Sequence, residues 1–542
     1  MRPHRVTTPP GTLAQAYLLA QAASFFPLHF RGREDRLLAV RAGAERPIDA
    51  AILSALRKQN QRYAPSPARE RNLDALGRGA AAVLTGQQVG LFLGPLFTIY
   101  KAATAIRFAE FLSEESGHPV VPIFWLQTED HDLPEIARFW LPDREGRPTM
   151  LEIPHDPENR RSVAHLELRG IEEPLEELRE ILWELPHGET HLGRLEKHYR
   201  EGVSISDAFA GLLAELFAEE GLILIDPRDE AFAKIAGELH RRALEESDPI
   251  AERLGERARA IEAAGFPVAV HVREGAPLAF FHPEGREGPR FRLAREGSVF
   301  AEVGGKGRHS QEQLLRALEM DPLRFSTSAL LRPLLQDHLL PTVAYVGGPG
   351  EIAYFAQLAP LYEHFGRPMP LLVPRAQFRI LDRRVLRRLE RLGFREEEIG
   401  RDEAELLAHL REEGAPSGLE VAHELLGPFV ETLEKHAPAL RKLDPSLERA
   451  IRRTRFSVER AVSRFSTKVA RSHLRKSGET REDLRFLKDF LRPMGMPQER
   501  CHGLSYYAAR FGERAFVRAV LGAVSPLDPA SRPLTEMEIE RA

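Results

Sequence analysis

The first two-thirds of the chain alternates short, uninterrupted apolar runs with amphipathic stretches. Six runs read as buried strands: 80–84, 120–126, 222–225, 267–272, 342–346 and 369–373. Runs without polar alternation mean strands covered on both faces, and the helical spacing between them supplies the cover. The pattern predicts an α/β core built on a doubly wound parallel sheet. In such sheets ligands bind at the carboxyl ends of the strands, so the residues after each run come first as candidates.

From Leu381 the strand signal ends and charged, Leu-rich helical patterns take over. Leu381, Val385, Leu389 and Leu392 repeat at helical spacing. Farther on, Asp444 reads as an N-cap, Pro445 as the first helical residue and Gly478 as a stop. Between them Leu447, Ile451, Thr454, Val458, Ala461 and Phe465 step by four and three, a heptad-like seam. That helix would be roughly 48 Å long. Residues 381–491 therefore read as an antiparallel α-helical hairpin, coiled-coil-like, with a polar interruption at 401–416. A loop follows at 493–497, then a helical stretch at 504–524 that returns to the first domain, then a loosely held tail from Ser525. The expected domains are a core over 1–377, a helical domain over 378–491 and a C-terminal segment over 492–542 that packs back on the core.

Charge and cysteine usage narrow the function. Lys and Arg total 76 against 80 Asp and Glu, a formal net charge of −4. A nonspecific nucleic-acid binder would need a basic excess, so none is expected as a partner. The single cysteine, Cys501, forms no internal disulfide and no Cys-rich metal site. No apolar run approaches the ~20 residues of a membrane helix. The apolar stretch at 13–23 is broken by Gln15 and Gln21 and reads as a helix, not a signal peptide. A cytoplasmic location without membrane contact is expected.

Four segments carry candidate chemistry. The first, after the 80–84 run, joins Gly86, Gln87, Gln88 and Gly90 to a helix bearing Lys101. Glycines admit close backbone approach and a helix N-terminus attracts anions, yet the spacing is neither a P-loop nor a dinucleotide turn. It reads equally as ligand loop or structural turn. The second is Glu129-Asp130-His131-Asp132, with Pro134 and Glu135 beyond. Crowded carboxylates oppose one another's ionisation. They suit Mg²⁺ ligation (Asp130, Asp132), acid/base work or ribose binding; helix capping accounts for Asp132 and Glu135 alone. The third is Gly347, Gly348 and Gly350 with Glu351 and Tyr354, another strand-to-helix turn. The fourth places Ser328 and Arg332 in an apolar stretch; Arg332 suits a carboxylate or phosphate, or an internal pair with Asp337. Arg375 is a weaker candidate of the same kind. Cys501-His502, His271 and His282 lack any such context and read as packed or surface residues.

The ordered set Thr85-Gly86-Gln87-Gln88, Gly94-Pro95, Glu129 to Asp132, Arg332-Pro333 and 345–354 resembles the BshC family, the cysteine ligases of bacillithiol biosynthesis. The resemblance covers nearly the whole chain. It implies a Rossmann-like core, an antiparallel coiled-coil domain and a homodimer formed through that domain. It also implies a reaction joining cysteine to glucosaminyl-malate, the last step to bacillithiol. One position departs: the family commonly has Asn where Ser328 stands. Amide formation in water requires an activated carboxylate, which implies ATP or another nucleotide, and Mg²⁺. On that view the Gly86–Gly90 loop, Lys101 and Arg332 meet developing phosphate charge, and His131 or Glu129 takes the amine proton. Other readings are a different nucleotide-dependent transferase and a non-catalytic dimeric ligand-binding scaffold.

Overall fold

The structure is a computed structural model, and it describes residues 11–403, 405–406, 418–529 and 531–542. These divide into two compact units. One comprises the chain up to Arg144, Pro148–Ile380 and Gln498–Ala542; the other comprises Glu145–Arg147 and Leu381–Pro497.

The first unit is built on five strands, β1 (Ala81–Gln87), β2 (Val120–Leu126), β3 (Ile223–Ile225), β4 (Thr342–Gly347) and β5 (Leu371–Pro374). They lie in the order β5-β4-β1-β2-β3, and every neighbouring pair is parallel. The apolar runs are continuous because both faces are covered: Ala81 to Leu84 and Ile123 to Trp125 are fully buried. Helix α1 (Phe97–Ser116) makes the crossover from β1 to β2 and ends at Gly117, whose φ of 68° is the left-handed turn that glycine permits. Packing on the sheet is close. A methyl added at Gly43, on the helix Arg33–Ala44, would stand 2.2 Å from Val343. The order of the strands reverses direction between β1 and β4, which opens a crevice at their carboxyl ends.

The fourth expected strand, 267–272, is absent. Val270 exchanges both backbone hydrogen bonds with the buried Gln357 side chain, donating to Oε1 at 2.9 Å and accepting from Nε2 at 2.8 Å. An amide thus replaces a neighbouring strand, and Val268, Val270 and Val272 pack against the core without joining the sheet. A second, antiparallel sheet was not foreseen. It orders Phe325–Thr327, Ala279–Phe281, Phe291–Glu296, Val299–Val303 and Arg308–Ser310. These strands are short and bury little beyond Phe281, Leu293, Phe300 and Phe325, so their apolar signal is sparse.

In the second unit, α2 (Gly418–Leu443) and α3 (Leu447–Leu491) form an antiparallel hairpin joined by a three-residue turn. Arg455 pairs with Glu434 at 3.1 Å, and Arg441 pairs with Glu448 nearer the turn. Asp444 is a turn residue, accepting from the Ser446 N–H at 2.8 Å. Gly478 does not stop the helix, which runs 45 residues to Leu491. A glycine inside a helix costs only about 1 kcal/mol. Much of the heptad seam is open: Thr454, Ala461 and Phe465 are exposed, and Leu447, Ile451 and Val458 half-buried. The polar interruption at 401–416 lies largely outside the described residues.

The C-terminal stretch forms two helices, Ser505–Phe511 and Glu513–Ala523, broken at Gly512 with φ 84°. The tail is held rather than loose. Arg532–Thr535 pairs with the strand that begins at Phe378, and Glu536–Glu540 is a helix capped by Thr535. Leu534 and Ile539 are buried, and that apolar burial, which the composition of the tail did not signal, holds it to the core. Cys501 is buried, and burial pushes its thiol up to about 12, which leaves it inert as a nucleophile. No helix among the described residues is long and apolar enough to cross a membrane.

Candidate active site

The crevice between β1 and β4 is a cavity of about 350 Å³. Its wall comes from the strand ends. β1 delivers Gly86, Gln87 and Gln88; β2 delivers Gln127 and Asp130; the turn after β4 delivers Gly348, Gly350, Glu351 and Tyr354. Lys101 and Phe97 arrive from α1, Arg332 from the first turn of Arg332–Leu339, Arg375 from beyond β5, and Glu135, Ala329 and Arg500 complete the lining. Twelve of the residues singled out from sequence, the weaker candidate Arg375 and the expected cap residue Glu135 among them, therefore share one cavity wall.

Gly86 serves the sheet as well as the cavity. A Cβ there would lie 2.8 Å from the Trp125 carbonyl oxygen, so the β1–β2 pairing itself requires glycine. Thr85 fixes the other side by donating to the Val346 carbonyl at 2.9 Å.

A buried polar network shapes the floor. Lys101 Nζ pairs with Glu351 Oε2 at 2.6 Å and donates to the Gly86 carbonyl at 2.8 Å and to Gln87 Oε1 at 3.1 Å. Its three N–H groups are thereby used, which makes it a brace for the loop rather than an open phosphate donor. Glu351 also accepts from the Tyr345 hydroxyl at 2.6 Å and the Gly348 N–H at 2.8 Å. Burial pushes the Lys101 amine below its ordinary value; Glu351 stays below its own because Lys101, Arg332 and the Gly348 N–H outweigh burial.

Arg332 donates to the Tyr354 hydroxyl at 2.5 Å and to Gln127 Oε1 at 3.2 Å, and its buried Nε has no partner. It does not pair with Asp337. That carboxylate accepts from the Tyr362 hydroxyl, and burial pushes it up to about 6. Arg375 is matched by Glu499 at 2.6 Å.

The acidic segment after β2 splits three ways. Glu129 turns away from the cavity and is buried, accepting from the Thr327 N–H at 3.4 Å and hydroxyl at 3.0 Å; burial raises it. Asp130 faces the cavity with its oxygens engaged by Gln88 Nε2 at 2.9 Å, the His131 N–H at 2.8 Å and Arg290 at 3.4 Å. These contacts outweigh burial and hold it low. Asp132 caps the short helix Leu133–Ile136 through the Glu135 N–H at 3.4 Å. Asp130 and Asp132 thus do not form a Mg²⁺ ligand pair: one is committed to Arg290 and Gln88, the other to a cap. Among the described residues no group of three or more His, Cys, Asp and Glu is placed to hold a metal ion.

His131 does not line the cavity. Its Nδ1 faces an Arg290 N–H at 3.2 Å, so the ring's lone pair is occupied; burial and Arg290 lower its pKa. Glu135 is the cavity carboxylate without a short ionic partner, and burial, Asp132 and Asp130 raise it. Gly90, Gly347 and Ser328 also stand off the cavity. Ser328 accepts from the Leu331 N–H at 3.3 Å, at the start of the Arg332 helix.

Sequence reading missed Arg290, Gln127, Glu135 as more than a cap, and Arg500. Arg290 is buried, bonds Ser326 Oγ at 2.8 Å and the Thr327 carbonyl at 3.0 Å, and stacks 3.7 Å over the Phe280 ring. It immediately precedes the strand Phe291–Glu296 of the unforeseen antiparallel sheet, where a lone arginine gives no pattern.

Comparison with known proteins divides the chain near the same first boundary, but the second match runs on through 498–530, which belongs to the first unit of the structure. Residues 8–376 match the family model described as "Bacillithiol biosynthesis BshC, N-terminal Rossmann-like domain". Residues 378–530 match "Bacillithiol biosynthesis BshC, C-terminal coiled-coil domain". A protein of Koribacter versatilis named "Putative cysteine ligase BshC" is 35% identical over 85% of each chain. Proteins of the same name from Solibacter usitatus (34%, 85% of each chain) and Salinibacter ruber (32%, 90% of this chain and 89% of the relative) are similar over comparable lengths.

Proposed function

The chain belongs to the BshC family, and from that premise we propose that it is a cytoplasmic carbon–nitrogen ligase that joins cysteine to glucosaminyl-malate, forming bacillithiol at the expense of ATP. The observation that carries the reading is the cavity at the β1–β4 crevice, where two helices bring guanidinium groups without carboxylate partners, Arg332 and Arg500, to the strand-end loops. Guanidinium groups so placed favour anionic ligands. The malyl carboxylate and the nucleotide phosphates supply those anions.

The residues divide the work. Arg332 lines the cavity and offers the guanidinium N–H groups that Tyr354 and Gln127 leave unused to an anionic oxygen of substrate. The loop of Gly86 to Gln88, braced by Lys101, sets the wall against which the activated carboxylate lies. The amine of cysteine must lose a proton to attack the acyl carbon. Glu135 takes it, because it faces the cavity and is the more basic carboxylate there. This replaces the expected roles of His131 and Glu129, both of which stand off the cavity. No step is routed through a metal ion, since Asp130 and Asp132 do not fit one.

The helical hairpin serves a homodimer. Phe465 is 52% exposed and shares the open seam of α3 with the exposed Thr454 and Ala461, a stripe that a second copy would cover. Sedimentation velocity of the full chain is expected to give a dimer, with Ala461→Glu/Phe465→Glu giving a folded monomer.

The deciding experiment incubates the purified protein with glucosaminyl-malate, cysteine, ATP and Mg²⁺, and follows bacillithiol, ADP and AMP by mass spectrometry. Bacillithiol with ADP means an acyl phosphate, and with AMP an acyl adenylate. Pyrophosphate release without amide product overturns the reading in favour of another nucleotide-dependent transferase.

A further inference from the structure

Arg500 lies in a segment that is otherwise locked into the core. Gln498 hydrogen-bonds both backbone groups of Ile380, its Oε1 accepting from the N–H at 2.7 Å and its Nε2 donating to the carbonyl at 3.2 Å. Glu499 is buried against Arg375. Cys501 and His502 are buried, and the His502 carbonyl accepts from the Leu96 N–H at 2.8 Å. Gly503 donates to the Trp140 carbonyl at 2.7 Å, and a Cβ there would stand 1.9 Å from the Phe139 ring. Across 498–503, Arg500 alone is exposed, and its side chain lines the cavity.

Its charge is not matched. Lys101 has Glu351 and Arg375 has Glu499, each at 2.6 Å. Arg500 forms no ion pair within 4.0 Å among the described residues; Glu135 only feels its field. A guanidinium held at a cavity mouth by a rigid segment, with its donors free, is pre-organised for a planar anionic group. Arg332 lines the same cavity, and its guanidinium is bonded only to the neutral Tyr354 hydroxyl and Gln127 amide oxygen among the described residues.

We propose that Arg500 is a substrate-binding residue of this cavity, and that with Arg332 it forms a two-point site for a ligand carrying two separate anionic oxygen groups. The assignment rests on the ligase reading only in naming the ligand: the group at Arg500 is a carboxylate of the malyl moiety or a phosphate of the nucleotide.

The test uses the full-length protein and Arg500→Gln, a change at an exposed side chain that leaves the packing of 498–503 in place. Steady-state kinetics separates the two sources. The KM for glucosaminyl-malate rises about 10- to 100-fold if a carboxylate docks there, and the KM for ATP rises by that factor if a phosphate does. In either case kcat falls less than KM rises, and Arg500→Lys recovers part of the loss, keeping the charge without the fork. Calorimetric titration with L-malate and with ADP gives a readout independent of turnover. Weakening of either by tenfold or more in Arg500→Gln supports the site even if the wild type makes no bacillithiol, in which case only the ligase reading falls. If both probes bind the variant within twofold of wild type, or neither binds wild type at millimolar concentration, the two-point site is overturned while any ligase activity stands.

Discussion

Lys101→Met is expected to destabilise the protein by about 3–5 kcal/mol, the usual consequence of removing one partner from a buried ion pair. The Lys101 side chain is 4% exposed and the Glu351 side chain 17%, so little water reaches the carboxylate left behind. The Gly86 carbonyl and Gln87 Oε1 lose their donor as well. Lys101→Met combined with Glu351→Gln is expected to recover most of that stability. The glutamine Oε1 can still accept from the Gly348 N–H while its Nε2 donates to the rotated Tyr345 hydroxyl oxygen, and no buried charge remains unpaired. Denaturant midpoints for the two single variants and the double variant complete a cycle whose coupling should exceed about 2 kcal/mol. A coupling near zero would mean that the pair does not exist as described. Neither variant is expected to ligate, because the loop of Gly86 to Gln88 has lost its brace in both.

The acid side of the stability profile reports the same pair. In the wild type Glu351 is held below its ordinary value of 4.5. A carboxylate lowered on folding stabilises fully above its unfolded value and loses that stabilisation as pH falls through the folded one. The pair therefore weakens below about pH 4.5. In Lys101→Met the largest opposing charge is gone and burial dominates, so Glu351 rises instead. The variant then gains stability relative to wild type as pH falls toward 4.5, the opposite sign. The double variant carries neither dependence. Unfolding midpoints at pH 4, 5, 6 and 7 separate the three cases.

Sequence reading found the cavity because its parts follow strands, and strands buried on both faces are the strongest signal this chain has. Gly86 to Gln88 and Gly348 to Tyr354 could be placed at a shared crevice before any coordinates, given only the strand order of a doubly wound sheet. What could not be read is what comes from far along the chain. Arg500 lies 413 positions after Gln87 and reaches the same cavity only because 498–503 is clamped to the core, and no local pattern marks an arginine among 76 basic residues. Arg290 sits in a sheet whose strands are too polar to stand out. The 267–272 run failed for the reverse reason. Its apolar pattern is real, but Gln357 satisfies its backbone, and composition cannot distinguish an amide partner from a strand. The directions of Glu129 and Asp130 were equally hidden. Four carboxylates in seven residues look like one cluster, but tertiary contacts send Glu129 to Thr327 and Asp130 to Arg290, and only the local cap by Asp132 was legible.

That separation makes the catalytic assignment testable one residue at a time. Glu135→Gln is expected to lower kcat by about 10²- to 10⁴-fold, the range for removing a positioned general base, with the fold intact because glutamine keeps the shape of a side chain that forms no ion pair among the described residues. His131→Ala is expected to cost far less, since its Nδ1 is turned to Arg290 and away from the cavity. Asp130→Ala is not an equivalent probe. It strips the buried Arg290 of its carboxylate partner, so a lower unfolding midpoint should accompany any loss of rate. The pH profile supplies the sign. A base works as the carboxylate, and burial with Asp132 and Asp130 raises Glu135 above 4.5, so kcat should climb with pH through that raised value and level off above it. In Glu135→Gln this limb disappears. Were His131 the base, the limb would survive Glu135→Gln and vanish in His131→Ala. The side chain that removes the limb is the one that takes the proton.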